Sequence, residues 1–74
     1  MAAQWYRLVV AEELGPRYLD AFEGMTLHAH DGVTEISGPI RDTAHLQGVI
    51  ERIAGFGLTL RSVSSTADPD ARAE

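Results

Sequence analysis

Seventy-four residues with eleven acidic side chains, six arginines, no lysine and a net charge of −5 describe one small acidic domain, which buries only about 60% of its unfolded surface. The missing cysteines exclude disulfides, zinc–thiolate sites and iron–sulfur clusters, and the negative balance argues against nucleic acid and anionic membrane surfaces, which both require a basic footprint. Without a staple, a domain of this size is expected to gain stability by oligomerising.

Trp5–Ala11 reads as the first strand, with Tyr6, Leu8 and Val10 alternating against Trp5, Arg7 and Val9. Glu12-Glu13 ends it. A helix of one or two turns is predicted next, with Gly15 at the cap, Pro16 at its first position, Leu19 and Phe22 facing inward, and Gly24 closing it. Leu14 and Leu19 have the spacing of a hydrophobic staple across its start.

Met25–His30 and Val33–Gly38 are two strands joined by Asp31-Gly32, a strong two-residue hairpin signal. The short loop dictates the register: His30 opposite Val33, Ala29 opposite Thr34, His28 opposite Glu35, Leu27 opposite Ile36, Thr26 opposite Ser37, and Met25 opposite Gly38. Opposed residues share a face, so Met25, Leu27, Ala29, Thr34, Ile36 and Gly38 point to the core. Thr26, His28, His30, Val33, Glu35 and Ser37 point the other way.

Asp42 is a good N-cap for a long amphipathic helix whose apolar residues Leu46, Val49, Ile50 and Ile53 follow the i, i+3, i+4, i+7 spacing. Gly55 and Gly57 are its stop signals. Leu58–Val63 is the closing strand. Residues 1–64 therefore form the domain, and 65–74, with nothing to bury, are expected to be a disordered tail. No apolar run approaches the roughly 18 residues of a spanning helix and the N-terminus has no basic leader, so the expectation is a cytoplasmic protein.

The order β-α-β-β-α-β predicts an α+β ferredoxin-like sandwich. Its four-stranded antiparallel sheet runs 4-1-3-2, with a short and a long helix on one face. The other face is left free. The alternation assigns to it Trp5, Arg7 and Val9, then Thr26, His28 and His30, then Val33, Glu35 and Ser37, and from the last strand Thr59, Arg61 and Val63.

Several stretches carry a resemblance: Trp5-Tyr6-x-Leu-Val-Val, Phe22-Glu23-Gly24-Met25-Thr26, Gly38-Pro39-Ile40-x-Asp42 with Ala44, Leu46, Gly48, Val49, Ile50 and Ile53, and Gly57-Leu58-x-Leu60-x-Ser62-Val63. Over roughly Trp5 to Val63 the chain resembles a family of small, uncharacterised bacterial proteins, mostly from high-GC bacteria. The resemblance implies the ferredoxin-like arrangement and supplies no catalytic residue.

On the free face, Trp5, Val9, Val33 and Val63 form an apolar centre with Arg7, His28, His30, Glu35 and Arg61 around it. Apolar patches rimmed by polar groups mark contacts, and Trp and Arg are frequent anchors. The leading expectation is a homodimer through this face, or a small-ligand-binding module. The alternative is a small-molecule tailoring enzyme or a divalent-metal protein using His28, His30 and Glu35, two imidazoles and a carboxylate on one strand face. No motif implies a cofactor. Ser37, Ser62 and Ser64 have no nucleophile-elbow or triad context and there is no glycine-rich phosphate loop, so catalysis has only topological analogy behind it. His45, in the first helical turn, is expected to face solvent. A second surface is the outside of the long helix, with Ala44, Gly48 and Gly55.

Overall fold

The computed structural model describes residues 4–66. Four strands, β1 (Gln4–Val10), β2 (Thr26–His30), β3 (Val33–Ile40) and β4 (Leu60–Ser65), form one antiparallel sheet, and α1 (Thr43–Gly55) is the one long helix. The strands lie side by side as β2-β3-β1-β4, or β4-β1-β3-β2 read from the opposite edge. Both central strands are those that alternate most regularly, and their inward residues Leu8, Val10, Thr34 and Ile36 are completely buried. Leu14, Phe22, Ile40, Val49 and Ile53 complete a single core on that side of the sheet.

The hairpin forms in the register that its loop requires, with all five pairs from Thr26–Ser37 to His30–Val33 as expected. Asp31 and Gly32 have φ of 51° and 82°. Positive φ at both central residues is the type I′ turn whose twist matches that of the strands. Gly38 is buried in β3 where a Cβ would stand 3.0 Å from Met25 Cγ and 3.1 Å from the Gly24 carbonyl oxygen. The missing side chain lets the start of β2 seat there.

The expected first helix is instead two successive 3₁₀ turns, Pro16–Tyr18 and Asp20–Phe22. Their bonds run i to i+3: Tyr18 N–H to Gly15, Leu19 to Pro16, Phe22 to Leu19 and Met25 to Phe22. Gly15 offers no capping side chain, and the stretch between Gly15 and Gly24 is too short to offset the cost of helix nucleation. Phe22 still turns inward, 2% exposed, whereas Leu19 is 49% exposed because three residues per turn rotate it off the core. The staple with Leu14 is therefore not made in helical form.

Helix α1 has the ends its sequence specifies. The Asp42 carboxylate accepts from His45 N–H at 2.8 Å. His45 does more than face solvent: it is half-buried, and its Nδ1 accepts from Arg41 N–H at 3.0 Å, so the two side chains together satisfy groups at the helix start. At the other end Gly57, φ 74°, donates to Ala54, and Leu58 donates to Ile53. These two bonds define a Schellman stop. The stripe lies as expected, with Val49 and Ile53 buried and Leu46 and Ile50 packed beside them.

Thr34, the one buried polar residue among those described, fastens the loop after β1. Its hydroxyl donates to the Glu12 carbonyl at 2.7 Å and accepts from Leu14 N–H at 2.8 Å. The two acids that follow β1 hold neighbouring loops: Glu12 accepts from Thr59 N–H at 3.0 Å and Glu13 from Gly32 N–H at 2.6 Å. β4 extends past its expected end, since Ser65 pairs with Tyr6 and Thr66 N–H donates to the Trp5 carbonyl. The tail boundary at residue 65 is corrected accordingly, and the rest of the expected tail, 67–74, lies outside the described residues. Among the described residues no helix is long and apolar enough to cross a membrane.

Candidate functional site

The sheet face opposite the core is laid out by strand pairing. One row across it reads Ser62, Val9, Glu35, His28, and the next reads Ser64, Arg7, Ser37, Thr26. Trp5 lies opposite Pro39 toward one end, and Val33 opposite His30 toward the other. Trp5, Val9, Val33, Glu35 and His30 are half-buried, while Arg7 and His28 are exposed. Of the eight residues expected to form the site, Trp5, Arg7, Val9, His28, His30 and Glu35 therefore share one surface.

Val63 and Arg61 do not follow the alternation. Between Val9 and Val10 the register with β4 shifts, so that Val9 opposes Ser62 and Val10 opposes Leu60, leaving Arg61 as an extra, exposed residue. One bulge reverses the facing of everything beyond it. Val63 consequently lies opposite the buried Leu8, on the core side, and at 38% exposure it is an outer margin of the core on an edge strand. Ser62 and Ser64 take the places on the open face. Thr59 lies in the loop before β4, bonded to Ala11 and Glu12.

Glu35 is the hub of the open face. Its Oε2 accepts from His30 Nε2 at 3.0 Å, and its Oε1 lies 3.7 Å from Arg7 Nε. His30 Nδ1 is 3.5 Å from Asp31 Oδ2, and the His28 and His30 rings are 5.0 Å apart. The hydrogen bond that His30 donates to Glu35, reinforced by the one to Asp31, raises the His30 pKa above its ordinary 6.5. The same bond, with Arg7 nearby, lowers that of Glu35 below its ordinary 4.5. The pair is a charge-assisted contact in which the carboxylate stays ionised.

For chemistry the arrangement offers little. Glu35 is held as an occupied acceptor between His30 and Arg7, and among the described residues no group of three His, Cys, Asp or Glu side chains is arranged to hold a metal ion, His28, His30 and Glu35 included. Two hollows, of about 170 and 240 Å³, lie elsewhere. The first sits by Tyr6, Ile40 and Leu46 at the start of α1. The second lies between β2 and the first 3₁₀ turn. What the open face does offer is half-buried Trp5 and Val9 beside charges that compensate one another.

Residues 5–64 match a domain of unknown function, DUF8691. The chain belongs to that family. No curated protein and no solved structure matches it. The DUF8691 match spans Trp5 to Ser64, so it takes in all four strands, the 3₁₀ turns and α1, with the whole open face inside it.

Proposed function

We propose that this DUF8691 domain is a small interaction module that forms a homodimer through its open sheet face. We also take its connectivity, with 3₁₀ turns standing where a first helix is expected, to be the split β-α-β arrangement of ferredoxin-like proteins.

The observation that carries the reading is the distribution of side chains across the sheet. Among the described residues, all eight buried hydrophobic residues belong to one core on one side, and Trp5 and Val9 remain half-buried on the other. Charge supports a second copy as the occupant. Of the eight acidic residues among those described, Glu35 alone stands in a strand, and His30 and Arg7 offset it. Two chains of charge −5 repel over most of their surface, and this face is where they meet without that repulsion. A two-fold axis through it brings Arg7 of each chain toward Glu35 of the other.

Four strands spaced about 4.8 Å apart give a footprint of only a few hundred Å² per chain, below the ~800 Å² of a standard interface. The dimer is therefore expected to dissociate on dilution. Sedimentation of the wild type beside Trp5→Ala is the test. A concentration-dependent association that Trp5→Ala weakens while the fold is kept is the expected result, and a wild type whose mass Trp5→Ala leaves unchanged at every concentration removes the proposal.

A further inference from the structure

The outer edge of β2 is a second place where the fold leaves groups free, and they are backbone groups. In a hairpin closed by a two-residue type I′ turn, the pair flanking the turn exchanges both of its hydrogen bonds, and bonded and non-bonded pairs then alternate. His30–Val33, His28–Glu35 and Thr26–Ser37 are therefore the bonded pairs, and Leu27 and Ala29 direct their N–H and C=O groups away from β3. β2 is an edge strand, and among the described residues nothing bonds to the backbone of Leu27 or Ala29 from the outside.

This edge lacks three of the usual protections against pairing: Thr26–His30 contains no lysine and no proline, and it pairs with β3 without a bulge. Beside it, on the core side, runs the groove of about 240 Å³ lined by Leu14, Gly15, Pro16, Leu19, Leu27 and Ala29. Leu19, half exposed, stands at its rim.

We propose that a second copy of this chain adds its β2 to this edge, antiparallel, about a two-fold axis at His28, joining two four-stranded sheets into one of eight. The register follows from which groups are free. With His28 opposite the partner's His28, Leu27 meets the partner's Ala29 and Ala29 meets the partner's Leu27, so every outward group of both strands is bonded, as two doubly bonded pairs. The same register sets a large side chain against a small one on the groove side. β2 carries no acid and no arginine, so two acidic chains approach along it without carboxylates facing one another. The proposal is independent of the open-face contact, and if both operate the assembly is a tetramer with two kinds of two-fold interface.

Hydrogen exchange resolved at single amides tests it, on wild type, Ala29→Lys and Trp5→Ala. Ala29 is exposed, so the lysine is compatible with the folded monomer. In concentrated wild-type protein the Leu27 and Ala29 amides are expected to exchange at least about ten-fold more slowly than in dilute protein. The His28 amide, bonded within its own hairpin, should not change. Ala29→Lys should abolish the protection, and Trp5→Ala should keep it. Exchange at Leu27 and Ala29 that is independent of concentration overturns the proposal, as does protection that survives Ala29→Lys or appears only when another protein is added. Failure of the open-face contact is read separately, as a Trp5→Ala mass identical to that of the wild type at every concentration.

Discussion

The two faces of one sheet are built from the same strands and do different work. Along β1, Leu8 and Val10 are completely buried, while their neighbours Arg7 and Val9 on the opposite face are exposed and half-buried. Along β3, buried Thr34 and Ile36 flank Glu35, which is tied to His30 and Arg7 at the surface. The core side gains from removal of apolar surface from water. Exposed charges on the open side add little to stability and instead set what can approach. A slip of one residue would exchange the faces, so the Asp31-Gly32 turn fixes stability and surface together.

The largest effect should come from the core side. Ile36→Ala is expected to cost about 2–5 kcal/mol in urea unfolding, enough to leave so small a domain barely folded. Glu35→Gln, its immediate neighbour, should leave the midpoint nearly unchanged. Similar losses at the two positions would show that the faces do not divide the work. Thr34→Val probes the one polar exception. Shape is kept and the hydroxyl is lost, leaving the Leu14 N–H and the Glu12 carbonyl without their partner. A buried donor left unsatisfied costs about 1–3 kcal/mol, so Thr34→Val should be destabilising although valine is the more apolar residue. A neutral or stabilising result would mean that the β1 loop is not held by this side chain.

Gly48 extends the comparison to a third surface, the outside of α1. Nothing lies within 4 Å of where its Cβ would be. Gly48→Ala should therefore raise stability by about 1 kcal/mol through helix propensity alone. A loss of stability would reveal a close neighbour on that surface and give it the status claimed for the open face.

Much of this was legible in the chain because local chemistry and global pattern agree. Asp31-Gly32 implied the hairpin register, Asp42 the start of α1, and the Leu46, Val49, Ile50, Ile53 spacing its inner face, and the structure has each of them. Pattern and structure part where an irregularity interrupts alternation or periodicity. Alternation puts Val63 on the open face, since nothing in Leu58–Val63 announces the bulge beside Val9. α-Helical spacing puts Leu19 inside, but the stretch forms 3₁₀ turns. Side-chain patterning makes His45 a surface residue, because its role depends on the Arg41 backbone, which the pattern does not encode.

The smallest expected effect is a pH dependence confined to the open face. The pKa of His30 is raised above 6.5, mainly by its hydrogen bond to Glu35, so its contribution is fully present below pH 6.5 and is lost as pH rises through the raised value. The pKa of Glu35 is lowered below 4.5, mainly by the same bond, so its contribution is present above pH 4.5 and is lost as pH falls through the lowered value. The contact is therefore strongest between about pH 4.5 and 6.5. The difference in melting temperature between wild type and His30→Gln should be largest in that window and shrink on either side of it. Because both side chains are accessible, added salt should reduce the difference. The penalty of Ile36→Ala involves no titrating group and should show no such window. A His30→Gln difference that widens from pH 6 to pH 8 would mean that the His30–Glu35 bond is not what distinguishes the open face from the core.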